Sequence, residues 1–254
     1  MLGLEFPPIN EVIRWKDLFT SFNKISLIAV LAALIGSVIF ILASNYDPTK
    51  SPRGARNLSE MIVDFIENNI VMQTIGNDGL KWTPFLTSLF IFVYLCNVPG
   101  IIPIFQMPAT GRMAIPLFLA VVVWLIYNAV GMISQGPVHY FKGIMFPPGV
   151  PKPIYLLLTP IELVSTIIVR PFSLAIRLFA NMLAGHMLLV TFALLSEAMF
   201  QATTHKLILV PMGILPMFML VFLTVFEVLV GFLQAYIFTI LTAVYIAGAM
   251  HPEH

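Results

Sequence analysis

Two apolar runs of about 45 residues each, 154–200 and 207–250, set the strongest limit on what this chain can fold into. Wholly helical, each would reach roughly 65 Å at 1.5 Å per residue. The hydrocarbon core of a bilayer is about 30 Å thick, so each run is about twice as long as one crossing requires. Either each run is a pair of spans, or each is one long helix lying steeply across the bilayer. A pair needs polar or Gly-rich punctuation at its turn. Pro171 and Gly185 interrupt the first run and Pro211, Pro216 and Gly231 the second, but neither contains a polar loop. Single helices are therefore expected, tilted beyond the usual 20° or so. That geometry asks for a large protein partner along one flank.

The rest of the sequence has the same character. The chain is 59% hydrophobic and 10% charged, where a soluble chain carries about 25% charged residues. So much apolar surface does not fit inside a water-soluble core, and an all-α polytopic membrane protein in a single integral domain, residues 1–254, is expected. A formal net charge of +1 supplies no general field for nucleic acid. No Gly-rich phosphate loop is present. The single Cys96 excludes an internal disulfide and reads as a small buried hydrophobe. The first residues, Met1 to Pro8, lack the basic and apolar regions of a signal peptide.

Upstream of the long runs, a first span is expected over 25–44. Asp47, Lys50, Arg53 and Arg56 follow it, and this basic excess marks a cytoplasmic loop. The segment before the span is nearly balanced in charge, which puts the N-terminus outside. Residues 57–73 form an amphipathic pattern too polar to span. Asn57 and Glu60 have capping-box spacing, Leu58, Met61, Ile62 and Phe65 make an apolar face, and Glu60, Asp64 and Glu67 take the other. This helix either lies in the cytoplasmic interface or packs on a soluble partner; we take the first reading. A helical hairpin is expected next, with spans over 82–104 and 113–134 joined by a short link. Asn97-Val98-Pro99-Gly100 kinks or frays the first of them. The Pro/Gly-rich loop 135–152 carries His139, Lys142 and Lys152 and again reads as cytoplasmic. About five membrane-embedded helices then leave the C-terminus in the cytoplasm.

The unusual content of the long runs is polar. The first carries Arg170, Ser173, Arg177, Asn181 and His186, and the second carries Glu227 and Gln234. A cation at bilayer depth costs about 2.5–3.5 kcal/mol even on lenient insertion scales, so it needs a partner or a purpose. At about 100° per residue, Arg170, Arg177 and Asn181 share a face, while His186 points to the opposite side. Glu227 and Gln234, seven apart, also share a face. Arg170 either snorkels to an interface or belongs to the site. Arg177 sits mid-run with no acid within a helical turn, so snorkelling explains it poorly. Asn181 and Gln234 also suit interhelical hydrogen bonding. His186 and Glu227 also suit a structural pair, but two ligands are too few for a metal site. Glu162 lies nearer the end of its run and reads as interfacial.

The stretch Ser173-Leu174-Ala175-Ile176-Arg177-Leu178-Phe179-Ala180-Asn181-Met182-Leu183-Ala184-Gly185-His186 closely resembles the signature of subunit a of F-type ATP synthases. A second similarity runs through Glu227 and Gln234 to Ile246, with weaker echoes at Pro84-Phe85-Leu86 and 97–103. The resemblance covers the chain from about Asn57 onward. It implies a proton-translocating stator subunit with no catalytic site of its own and no cofactor. Its partners would be the rotor c-ring, the peripheral-stalk subunit b and the rest of the synthase, within the lipid of a bacterial plasma membrane. By resemblance, Arg177 faces the rotor carboxylates and separates two offset half-channels, with Asn181 and Gln234 near it. His186 and Glu227 are similar to a pair lining the outer half-channel, which in some members reads Glu then His; here the order is exchanged. Glu162 is similar to a family acid near the start of the long helix, displaced by one residue. Arg170 and Ser173 are secondary candidates.

The chemistry fits such a role. A guanidinium does not deprotonate, so Arg177 would act as a fixed charge and not as a relay. It favours the ionised form of a passing carboxylate, whereas lysine could lose its proton when desolvated. Two other classes compete. A secondary transporter with Arg177 as an anion clamp calls for internal repeats, and no convincing repeat is present. An intramembrane hydrolase calls for more metal ligands, and there is no HExxH motif.

Overall fold

The computed structural model describes residues 24–44, 54–102, 108–146, 154–201 and 206–250. The N-terminal segment, Lys50 and Arg53 of the basic loop, Gln106, Lys152, His205 and the C-terminal residues 251–254 lie outside the described residues. All regular structure among the described residues is helical. Helix α1 is Lys24–Ser44. Helix α2 comprises Ala55–Ile66, a π turn Glu67–Val71 and a last turn Met72–Thr74. A 3-10 segment, Asn77–Trp82, leads into α3, Thr83–Asn97. Helix α4 is Ala114–Gln135 and α5 is Pro137–Met145. Helix α6 runs through Tyr155–Val164, a π turn Ser165–Val169 and Arg170–Gln201. Helix α7 is Lys206–Met250.

The two long runs are thus two continuous helices. Four helices are long and apolar enough to cross a membrane, including Tyr155–Gln201 and Leu207–Met250, and a shorter apolar helix covers Ile25–Ile41. The chain is an all-α integral membrane protein. Pro211 and Pro216 lie inside α7 without ending it. Proline removes one ladder bond, and in an apolar helix neighbouring groups can compensate.

Several expectations are corrected. Helix α2 does not start at an Asn57 cap. It starts at Ala55, after Gly54 with φ 62°, a left-handed conformation that glycine enters at little cost. Glu60 does not turn back to close a capping box; it accepts from Arg56 Nε at 2.6 Å. The α-helical part of the second span ends at Asn97, short of 104, and tightens into a 3-10 turn at Val98–Gly100. Pro99 has no N–H for the α-helical ladder, which accounts for the change. The segment 135–152 is not all loop, because α5 occupies Pro137–Met145. Pro137 suits a first helical position, where no N–H is required.

A main core joins most of these helices, and a second, smaller cluster packs Ile25, Ile28 and Ala32 of α1 against Cys96 and Ala109. The main core includes Ile66, Ile70 and Val71 of α2, Leu86 and Val93 of α3, Val123 and Tyr127 of α4, Leu174 and Leu178 of α6, and Phe238 and Ile246 of α7. The packed side of α2 is therefore Ile62, Phe65, Ile66, Ile70 and Val71, whereas Leu58 and Met61 of the expected apolar face are exposed. Phe65 sits 6.0 Å from both Phe90 and Phe232 and 5.9 Å from Tyr236, ring centre to ring centre. Helix α3 packs against α1, α2 and α7, whereas α4 packs mainly against α6 and α7. The consecutive pair α3–α4 therefore takes its main contacts from other helices. The most extensive pairing is between α6 and α7.

Candidate functional site

The α6–α7 pairing determines where the polar residues go. In α6, Leu174, Leu178, Met182, His186 and Leu189 are all buried. Their spacing of four, four, four and three residues draws one stripe along the helix. His186 belongs to this inward stripe. Arg177 and Asn181 each stand one residue off it, and both are exposed. Four residues apart, they share the outer face of α6. Arg177 has no hydrogen-bond or ion-pair partner among the described residues.

In α7, Glu227 is 4% exposed and Gln234 5% exposed. The Glu227 carboxylate lies against α6 at Gly185: a Cβ added to Gly185 would stand 3.2 Å from its Oε1. Residue 185 thus leaves the notch that the acid occupies, next to His186 in sequence. Nδ1 of His186 and both carboxylate oxygens of Glu227 are buried without a hydrogen-bond partner. Leaving a buried polar group unpaired costs about 1–3 kcal/mol. No hydrogen bond joins the two side chains: each is buried at the α6–α7 contact without a partner. Asn181 is not brought to this spot, since it faces out of the chain.

Arg170 is placed differently from Arg177. It follows the π turn Ser165–Val169, and its guanidinium lies over the Tyr245 ring of α7 at 5.7 Å from the centroid. Delocalised cations stack favourably on aromatic faces. Helical phase alone would give the two arginines a common face; the stacked Arg170 is half-buried and Arg177 is exposed. Ser173 donates to the Arg170 carbonyl at 3.1 Å. The hydroxyl of Tyr127 on α4 donates to Thr166 O within the π turn at 2.9 Å. Burial pushes the Tyr140 phenol of α5 above its ordinary value, and the Arg170 charge works against that rise. Glu162 lies before the π turn and is half-buried.

A further polar contact went unread in the sequence. Asn97, at the end of α3, donates from Nδ2 to the Gly231 carbonyl of α7 at 3.1 Å and accepts from Thr110 Oγ1 at 2.5 Å. Its only signal in the sequence is a polar side chain in an apolar span, which also suits a frayed helix end.

Helices long and apolar enough to cross a bilayer, with a buried histidine, carboxylate and amide on the two longest and an exposed arginine, define an integral membrane protein with polar groups inside its apolar helices. Comparison with known proteins narrows this class. The family model of the ATP synthase A chain matches residues 25–247. The ATP synthase subunit a of Frankia alni is 46% identical over 234 residues, covering 91% of this chain and 79% of the relative. Those of Parafrankia sp. and Rhodococcus erythropolis are 43% and 38% identical, over 90% and 91% of this chain and 76% and 83% of theirs. The chain belongs to the ATP synthase A chain family.

Proposed function

We propose that this chain is the proton-translocating stator subunit of an F-type ATP synthase, holding two offset half-channels against a ring of rotor carboxylates. The observation that carries this reading is the division of labour on α6. Arg177 and Asn181 face outward without a hydrogen-bond partner among the described residues, and His186 is buried on the inward stripe, next in sequence to the Gly185 against which Glu227 of α7 lies. An arginine on the lipid-facing side of an apolar helix is costly, so another chain must meet it. A moving ring of carboxylates supplies a counter-charge without a permanent, desolvated ion pair. His186 and Glu227 then line the outer half-channel, with Gln234 deeper on the same side of α7. Arg177 stands between the half-channels and keeps the facing carboxylate ionised. A proton crossing the membrane gains about 2.3 kcal/mol per 100 mV, which is useful only if it cannot pass directly from one half-channel to the other. Arg170, Ser173 and Glu162 are assigned secondary places toward the inner side. The reaction at the nucleotide is left to other subunits, the peripheral-stalk subunit b anchors this chain, and no cofactor takes part. The membrane is a bacterial plasma membrane, with the N-terminus outside and the C-terminus in the cytoplasm.

The test is Arg177→Ala in the whole complex, assayed in inverted vesicles. ATP-driven proton pumping and proton-driven ATP synthesis should be lost while the complex remains assembled. Passive proton leak should stay the same or rise, since a protonated rotor site could pass the gap unchecked. Arg170→Ala should be milder, because its guanidinium is stacked on Tyr245 and not presented outward. Normal pumping by the Arg177 variant would overturn the mechanism.

A further inference from the structure

Glu227 and Gln234 can act only if α7 stands at the right height against α6, and α7 is a smooth apolar rod for most of its length. Hydrogen bonds from other helices reach α7 carbonyls at three heights: Ser196 donates to Gly213 at 3.4 Å, Ser134 and Gln135 donate to Ala249 at 3.1 and 2.9 Å, and Asn97 donates to Gly231, the only one of the three acceptors that lies between Glu227 and Gln234. Gly231 lies four residues after Glu227 and three before Gln234. At about 100° per residue the three share one side of the helix, with Gly231 roughly 6 Å along the axis from Glu227 and 4.5 Å from Gln234. The Gly231 carbonyl, between the two polar side chains, is the group to which Asn97 donates at 3.1 Å.

The contact is built on both sides. Asn97 is 2% exposed and Thr110 is 0% exposed. The Thr110 hydroxyl occupies the Asn97 carbonyl oxygen, which settles the orientation of the carboxamide and turns its NH2 toward α7. Asn97 itself stands where α3 tightens into the Val98–Gly100 turn, so its backbone is held at a helix end. Thr110 lies in the 3-10 turn Ala109–Gly111, on the far side of the link from α3. Apolar packing between Leu, Ile and Phe side chains is non-directional and tolerates sliding. A directed hydrogen bond to one carbonyl does not.

We infer that Asn97, oriented by Thr110, is a positioning residue that fixes the height of α7, so that Glu227 and Gln234 stand at their places on the proton path. This rests on the proton-path reading above. A merely structural Asn97 would change how much complex assembles, but not what each assembled complex does. A positioning Asn97 changes the rate per complex and its dependence on pH, because moving Glu227 out of the Gly185 notch alters the site through which the proton passes.

The experiment uses whole complexes in inverted vesicles, with pumping normalised to assembled complex and measured across pH for the parent, Asn97→Leu, Thr110→Val, Thr110→Ser and Arg177→Ala. Asn97→Leu should lower pumping per complex by about 10-fold or more, as misplacement by about 1 Å can do, and should shift the pH profile. Thr110→Val should move both readouts in the same direction by less. Thr110→Ser, which keeps the hydroxyl, should recover most of the rate. Parent-like rates and profiles in both Asn97→Leu and Thr110→Val overturn the inference. If Asn97→Leu fails to assemble, Thr110→Val decides alone. A dead Arg177→Ala beside normal Asn97 and Thr110 variants removes this inference and leaves the proton-path reading standing. A normally pumping Arg177→Ala removes both.

Discussion

At the scale of single residues, the site is defined as much by the side chain missing at position 185 as by the charged groups. The Glu227 carboxylate fills the space that a Cβ at Gly185 would crowd, 3.2 Å from Oε1 and 3.4 Å from Cδ. Interiors are packed closely enough that one added carbon forces a shift. Gly185→Ala should therefore push the carboxylate away from α6 and lower proton pumping per assembled complex. Glu227→Asp combined with it withdraws the carboxylate by one methylene and should restore part of the loss. Unchanged pumping in Gly185→Ala would mean that the notch does not matter. No rescue by the shorter acid would mean that the alanine acts elsewhere.

At the scale of elements, legibility follows the range of the interaction. The apolar spans could be read because about 20 apolar residues in a row leave few alternatives. The inward His186 and outward Arg177 of α6 could be read from helical phase, because the buried stripe from Leu174 to Leu189 keeps its period throughout. Where a long side chain finds a distant partner, phase alone does not settle its place. Arg170 and Arg177 lie in the same regular segment Arg170–Gln201, so phase still relates them, but the Arg170 guanidinium lies over Tyr245 of α7, a contact between distant residues that spacing does not announce. The start of α2 depends on Gly54 and on Glu60 preferring Arg56, a competition between two local partners that spacing does not decide. The Asn97 contact joins residues 134 apart in sequence, and no local pattern announces it. Helix α5 was hidden in a Pro/Gly-rich stretch, and it is held by Tyr140. That ring lies on Gly131, where an added Cβ would clash with Cε2, and its hydroxyl donates to Asn128 Oδ1 at 3.1 Å. Gly131→Ala should displace the ring and cost about 1–3 kcal/mol. Tyr140→Phe removes only the hydrogen bond, about 1 kcal/mol. Heat inactivation of the purified complex should rank them in that order, and the reverse order would contradict the packing account.

At the scale of the whole molecule, the two long helices are incomplete by themselves. Only 17% of the most apolar stretch of each is buried within the chain, against 56% for Asn77–Gly100. Lipid can cover an apolar flank, but it cannot satisfy Arg177. Phe172 and Ile176 are 52% and 39% exposed on α6, away from its buried stripe. In the proposed function this flank is the surface that meets the rotor ring. Single cysteines at 172, 176 and 180 should cross-link to the subunit that carries the rotor carboxylate. Cysteines at 174 and 178, whose native leucines are 2% and 1% exposed, should not. The contrast matters more than either yield, because all five positions lie within about 12 Å along one helix axis at 1.5 Å per residue. Proximity to the ring alone would give similar yields at neighbouring residues, whereas a defined face alternates with helical phase. Cross-linking from 174 and 178 but not from 172, 176 and 180 would turn α6 around, put His186 on the ring side, and exchange the places assigned to the arginine and the histidine.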